Sequence, residues 1–304
     1  MKISGFTFCK DAENLYYPIV ESIKSILPIV DEYVVALGVS TDDTKNLIQT
    51  INSPKLKIID TKWDLGLYKN GTVHAQQTDF AKSKCEGEWL IYLQADEVIH
   101  ENDHQKIIDA CAAHLNNPEI EGFLFDFKHF WGDYDHYQEG HSWYDKEIRI
   151  IRNRPDIHSW QSAQSFRSIP NFDGVSYRKK EGSRKLNVAE LGATVYHYGW
   201  VRPPEIMAKK VNKIYEIHTG TKQRMDYAFG WGNLQKLSVY RESHPSVMKN
   251  RITAMNWTVN QGNEPEFMRH NRLSSKLLSY VEKNLFGGKK LFGHHNYKII
   301  MQSK

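Results

Sequence analysis

The chain has 304 residues, 40% hydrophobic and 12% aromatic, with 40 Lys and Arg against 36 Asp and Glu for a formal net charge of +4. That length can bury one large core, or one core with a smaller appendage, and so small and dispersed a charge argues against a nucleic-acid partner. The three cysteines, Cys9, Cys85 and Cys111, are odd in number and far apart, so neither a disulfide framework nor a zinc motif is expected.

Lys2–Phe8 is rich in β-formers and reads as a first strand, followed by the loop Cys9-Lys-Asp-Ala-Glu13 and a helix that carries Ile19, Ile23 and Ile26 on one face. A second strand at Glu32–Leu37, a capped turn at Ser40–Thr44 with a short helix, and a third strand at Leu56–Ile59 come next. Thr61–Gly71 reads as a loop and Thr72–Cys85 as a helix. Strands alternating with helices predict a mostly parallel sheet covered on both faces. The run Trp89–Leu93 is too short for a helix and ends in Gln94-Ala-Asp96-Glu97, so it reads as a buried strand with carboxylates at its carboxyl end. In open α/β sheets ligands bind beyond such ends, which makes this the candidate site.

A helix over His104–Leu115, a strand over Glu121–Phe130, a polar aromatic loop over His136–Asp145 and a strand over Lys146–Ile151 continue the chain. Arg167–Arg184, polar with Pro, Gly and Asp, is expected to be a mobile loop over the site. Leu186–Tyr198 returns as a strand that stops at His197-Tyr-Gly-Trp200, and Pro203-Pro204 opens a helix through Met207, Val211 and Ile214. Past residue 219 the parallel pattern ends. The expected division is 1–218 as the α/β domain and 219–304 as a smaller, mainly helical extension.

Over about two thirds of its length the chain resembles the family 2 glycosyltransferases of GT-A fold. The resemblance rests on Cys9-Lys-Asp-Ala-Glu13 after the first strand, on Val34–Thr44 as a strand into an acidic turn, on Gly71 leading through a helix to Gly87-Glu-Trp and Gln94-Ala-Asp-Glu97 at the Asp-x-Asp position, and on Val195-Tyr-His-Tyr-Gly-Trp200. It implies inverting transfer of a sugar from a nucleotide-sugar donor to a hydroxyl of a glycan, a lipid-linked sugar or a protein. It also implies a Mn²⁺ or Mg²⁺ cofactor held by Asp96 and His197, since a hard cation beside the departing diphosphate acts as a Lewis acid. Phe8, Lys10, Glu13, Gly38, Gln77, Gln94 and Ala95 are then expected around the nucleotide sugar.

The chain departs from the family pattern at Gln94, which replaces the first Asp of the pair with an uncharged ribose contact, and at Gln164, which cannot be a general base. Asp145, at the mouth of the strand carrying Arg149, is the choice for that base, with Asp133 and Glu139 behind it. Two rivals are a degenerate transferase kept as a glycan- or nucleotide-binding scaffold, and a sugar nucleotidyltransferase, which would want a glycine-rich basic loop where Cys9–Glu13 stands.

Each motif also has a plainer reading. Glu97 fits a helix cap or a solvent-facing acid, Lys10 and Glu13 fit surface charges, and Arg149, Arg152 and Arg154 fit a solvated face. Trp131, Trp143 and Trp160 fit core packing rather than stacking on an acceptor sugar. Gly287-Gly288-Lys289-Lys290 lacks phosphate-loop spacing, and His294-His295 has no partner at metal-ligand spacing. With no leader-like start and no long apolar stretch, a cytoplasmic protein without a transmembrane segment is expected, with peripheral attachment to a membrane left open.

Overall fold

The structure, a computed structural model, describes residues 1–221, 229–264, 268, 270, 272–287, 290–291 and 295–302. Gly288, Lys289 and His294, singled out above, lie outside the described residues. The first half follows the expected alternation: β1 (Ile3–Cys9), α1 (Ile19–Ile26), β2 (Glu32–Gly38), α2 (Thr44–Gln49), β3 (Leu56–Thr61), α3 (Thr72–Lys82) and β4 (Trp89–Tyr92). These strands lie in the order β3-β2-β1-β4, all parallel. On α1 the residues Ile19, Ile23 and Ile26 are fully buried against the sheet, and each such side chain contributes about 1.5–3 kcal/mol of transfer free energy.

The second half is β5 (Glu97–Ile99), α4 (His104–Ala113), β6 (Gly122–Trp131), β7 (His136–Gln138), β8 (Lys146–Arg152), β9 (Ile157–Trp160), β10 (Ser165–Ser168), β11 (Arg184–Trp200), α5 (Pro204–Thr219), β12 (Ser238–Val239), α6 (Lys249–Thr253), α7 (Leu273–Leu285) and β13 (Tyr297–Met301). The sheet continues β4-β8-β6-β11-β10-β9, and here antiparallel pairs enter, so the sheet is mixed. Ile3, Val35, Leu37, Trp89, Ile91 and Phe125 fill one face and Phe6, Val34, Leu90, Tyr92, Ile148 and Phe166 the other.

Residues past 219 join this body. Phe229, Trp231 and Leu234 pack with Trp131, Met207 and Val211, while β12 pairs with β7 and β13 with β11. The three cysteines are buried and unbridged.

Two pairings position the candidate site. The short strand β5, which the run of carboxylates conceals in the sequence, lies antiparallel to the end of β11 with Glu97 opposite His197. Glu97 neither caps a helix nor faces solvent. It is fully buried and takes a bidentate ion pair from Arg149 on β8, with Nε to Oε2 at 2.7 Å and Nη2 to Oε1 at 2.6 Å. Arg149 is likewise no part of a solvated face, because the buried carboxylate at the start of β5 needs its guanidinium.

Replacing Arg149 by Met should therefore cost about 3–5 kcal/mol by stranding the Glu97 charge, read as a lower urea midpoint, and Glu97→Leu in the same chain should recover most of it. One residue pair away on β8, Glu147 is buried with Oε2 unpartnered. Burial outweighs the attraction of Arg149 and pushes its carboxyl up to about 7. The folded state thus holds this proton more tightly than the unfolded chain, so its stabilisation is complete below the unfolded value near 4.5 and is lost as pH rises to about 7. Urea midpoints should fall across that window by the equivalent of about 3 kcal/mol, and Glu147→Gln should flatten the slope.

Candidate active site

A cavity of about 400 Å³ opens at the carboxyl ends of β1 and β4 and is walled on its far side by α5. Three groups of residues line it. Phe8, Trp63 and His74 form an aromatic wall, with Phe8 stacked on His74 at 5.3 Å between centroids and Lys10 Nζ 5.6 Å from the Trp63 ring. Burial, helped by His218, pushes His74 down to about 3, so this wall is neutral. Gln94, Ala95 and Asp96 supply the floor, and Lys210, Lys213, Ile214, Ile217 and His218 come from α5.

Asp96 is buried at the centre of a cationic shell. Lys210 Nζ lies 3.1 Å from Oδ2 and also donates to the carbonyl of Gly199 at 2.6 Å. Burial alone would raise the Asp96 carboxyl, but Lys210 and Arg202 override it and hold the group well below the usual carboxylate range. The same burial, with Arg202 nearby and against the pull of Asp96, pushes Lys210 down to about 7. Arg202 is fully buried, its guanidinium 4.7 Å from the Tyr17 ring centroid.

His197 stands beside this carboxylate, its Nε2 3.8 Å from Asp96 Oδ1. Its other nitrogen, Nδ1, meets Nδ1 of His129 at 3.0 Å, and His129 Nε2 meets the carbonyl of Tyr144 at 2.7 Å. Burial lowers both imidazoles, against the pull of Asp96 and Glu97 on His197, and so favours the neutral forms. The tautomers then follow from the partners: a carbonyl only accepts, so His129 carries its proton on Nε2 and accepts at Nδ1 from His197. His197 is left with a lone pair on Nε2, facing Asp96. A metal-ligating histidine has this form, its far nitrogen oriented by a second acceptor. Gly199 keeps the space between them clear, since a Cβ there would fall 2.5 Å from His197 Nε2 and 2.8 Å from Asp96 Oδ2. Asp96 and His197 thus fit a hard or borderline cation as two protein ligands. Among the described residues no cluster of three or more such side chains is found, so the remaining ligands would be oxygens of a bound substrate or water.

Of the residues expected here, Phe8, Lys10, Gln94, Ala95, Asp96 and His197 line the cavity. The others serve elsewhere in the described structure. Glu13 Oε2 accepts from the backbone of Asp43 at 2.9 Å, Gln77 Oε1 accepts from Thr61 Oγ1 at 2.6 Å, and Gly38 makes room for Trp63, whose Nε1 would sit 2.5 Å from a Cβ. Gln94 lends Nε2 to the carbonyl of Ala163 at 2.9 Å. Asp145 is not among the lining residues; its neighbour Tyr144 is, and the Asp145 carbonyl accepts from Phe127 at 2.8 Å. The stretch 167–184 does not cover the cavity either. The turn before it, through Ser162 and Gln164, reaches the wall, while Phe172 and Tyr177 border a separate surface hollow.

Sequence reasoning missed His129, Lys210 and Arg202. Lys210 does leave a signal, a lysine between Met207 and Ile214 on the apolar face of a helix, and so does His129, an imidazole in the alternating apolar run of β6.

No known family profile matches the chain. In sequence it is similar to uncharacterized glycosyltransferases of Rickettsia typhi and Rickettsia felis, 32% identical over 113 residues, which make up 37% of this chain and 34% and 35% of those proteins. It thus spans about a third of the length of the curated relatives it matches. Among solved structures it is similar to S. aureus TarS 1-349 in complex with UDP, at 15% identity and a TM-score of 0.40 over 71% of this chain and 65% of that one. It is also similar to glucosyl-3-phosphoglycerate synthase from Mycobacterium tuberculosis in complex with Mn²⁺, UDP and phosphoglyceric acid, at 18% identity and a TM-score of 0.28 over 43% of each chain. Over those 113 residues the chain is similar in sequence to proteins named glycosyltransferases.

Proposed function

We propose that this cavity binds a nucleotide sugar and transfers its sugar, with inversion, to a hydroxyl acceptor. The observation that carries the reading is the convergence, in one cavity, of a neutral aromatic wall, three lysines and the Asp96–His197 pair with its free imidazole lone pair. Flat neutral rings suit a nucleobase. Lys10, Lys210 and Lys213 suit the diphosphate, whose charge grows as the glycosidic bond breaks. Mn²⁺ or Mg²⁺, held by Asp96 and His197 together with diphosphate oxygens, would supply Lewis-acid stabilisation of that leaving group. The protein's own share is to keep Asp96 ionised, to fix His197 through His129 and Tyr144, and to exclude water with the α5 wall. The similarity to proteins named glycosyltransferases supports the same reading.

All the lining residues fall between Phe8 and His218, so we place the transferase unit in residues 1–218, with the described residues of 219–304 buttressing it. Glu13, Gly38 and Gln77 act in this reading behind the nucleotide site, as supports of α2, Trp63 and β3.

The test is donor binding and slow donor hydrolysis over a panel of nucleotide sugars with Mn²⁺. Binding and hydrolysis are expected for one nucleotide class, and Asp96→Asn should remove their metal dependence while the chain still folds, with a lowered melting temperature because buried Lys210 loses its carboxylate partner. No binding across the panel would sink the reading. Binding with neither hydrolysis nor transfer to any hydroxyl acceptor would leave the nucleotide-binding scaffold instead. A second expectation concerns the cradle. Gly199→Ala should weaken Mn²⁺ binding in the presence of nucleoside diphosphate by at least about tenfold, because the new methyl occupies the metal's place. Paramagnetic resonance of free Mn²⁺ reads this directly, and an unchanged titration would remove the metal from between Asp96 and His197.

A further inference from the structure

Helix α7 buries two polar side chains more fully than any of its apolar ones. Its buried residues are Ser275 and Glu282, and it is fastened to the loop before β8 by polar contacts alone among those described: His141 Nδ1 to Glu282 Oε1 at 2.7 Å, His141 N to Ser279 Oγ at 2.8 Å, and Ser142 Oγ to Ser275 Oγ at 2.9 Å. Leu278 and Val281 are half-buried, but the other apolar side chains point outward. Leu273 is 83% exposed, Leu277 62%, Tyr280 67% and Leu285 73%, with Phe286 just past the helix end at 48%. Leu273, Leu277 and Tyr280 are spaced i, i+4, i+7 and so form one stripe. A surface helix gains its stability by burying such a stripe, and among the described residues nothing covers this one.

The charges beside it indicate what that is. Lys276 and Lys283 are exposed along one edge of the stripe, and Arg272 is exposed at the helix start, whereas the helix's own carboxylate, Glu282, is turned inward onto His141. The outward charges of the helix itself are therefore all positive. A second copy laid against it would bring like charges with no carboxylate on the helix to meet them. An anionic lipid surface would take the leucines and tyrosine into its acyl boundary and neutralise the lysines with its headgroups. No helix among the described residues is long and apolar enough to cross a membrane, so the contact would be in-plane.

We propose that α7 is an interfacial helix that docks the protein on anionic membrane surfaces. The loop it grips, through His141 and Ser142, leads within two residues to Tyr144 on the cavity wall, so docking would hold the cavity close to the bilayer. The docking stands whether or not the cavity takes a nucleotide sugar.

Co-sedimentation of the full chain with vesicles tests this. Binding to phosphatidylglycerol/phosphatidylcholine vesicles should be about tenfold or more tighter than to pure phosphatidylcholine and should weaken with salt. Leu277→Glu/Tyr280→Glu should lower it by a further factor of about ten or more, with an unchanged melting temperature because both side chains are exposed. Lys276→Glu/Lys283→Glu should abolish the preference for the anionic vesicles. The inference is overturned if the wild-type chain does not bind anionic vesicles, or if either double substitution leaves binding unchanged. It is also overturned if sedimentation equilibrium finds a wild-type dimer that Leu277→Glu/Tyr280→Glu dissociates, which would give the stripe to a second copy.

Discussion

The Glu97–Arg149 pair is the constraint on which the floor of the cavity depends. Taking a carboxylate and a guanidinium wholly out of water costs several kcal/mol for each ion, and their attraction recovers this only with good geometry and further hydrogen bonds. Both conditions are met. The pair is bidentate, Arg149 Nη1 reaches the carbonyls of Ile148 and Gln164 at 2.8 and 3.1 Å, and Glu97 Oε2 also accepts from the backbone of Gln94 at 3.1 Å. Through these bonds one buried ion pair ties the end of β4, the strand β5, the middle of β8 and the 161–164 turn to a common point. Asp96 sits between two of the tied residues, so its position is set by a group that never touches the cavity.

Around Asp96 the electrostatics are balanced differently. Here one buried acid faces two buried cations and a neutral imidazole, and the outcome is shared: the carboxylate stays charged while Lys210 is pushed down to about 7. Tyr17 and Trp200 lend their ring faces to Lys210, at 5.0 and 5.7 Å, a partial replacement for lost hydration. A site built this way carries surplus positive charge, as expected where an anion is to be received.

What could be read from the sequence was what repeats or terminates. The βαβ alternation through β4 follows from apolar periodicity and its punctuation, and Asp96, Phe8 and Lys10 follow from the rule that ligands gather beyond strand ends. What could not be read depends on pairing between distant segments. Glu97 looks like the partner of Asp96 because they are adjacent, yet successive strand residues face opposite ways, and β5 turns Glu97 into the core while Asp96 stays at the cavity. Glu13 and Gln77 have the right chemistry at the right height in the sheet, but each is already committed to a backbone or side-chain partner. Asp145 was placed by its nearness to Arg149 in sequence, and Arg149 points into the core. Polar residues on apolar faces, Lys210 and His129, were the stronger clue, since a lysine in the core stripe of α5 needs an acid to face.

The bringing together of Asp96 and His197, 101 positions apart in the numbering, follows from topology. β11 runs beside β6 along most of its length, shifting register between Glu190 and Thr194, where Gly192 takes a positive φ of 64°. Such an irregularity bends a strand, and beyond it β11 pairs with β5, the backbone of Tyr198 donating to the carbonyl of Asp96 at 2.8 Å. The same pairing with β6 sets His129 opposite His197. β11 thus delivers the imidazole and, two residues on, the glycine that keeps the space beside Asp96 clear, and its pairing with β6 supplies the partner that fixes the tautomer. A substitution that slipped β11 by one residue would turn His197 to the opposite face and lose all three at once, which is why the site requires the long strand and not merely a late histidine.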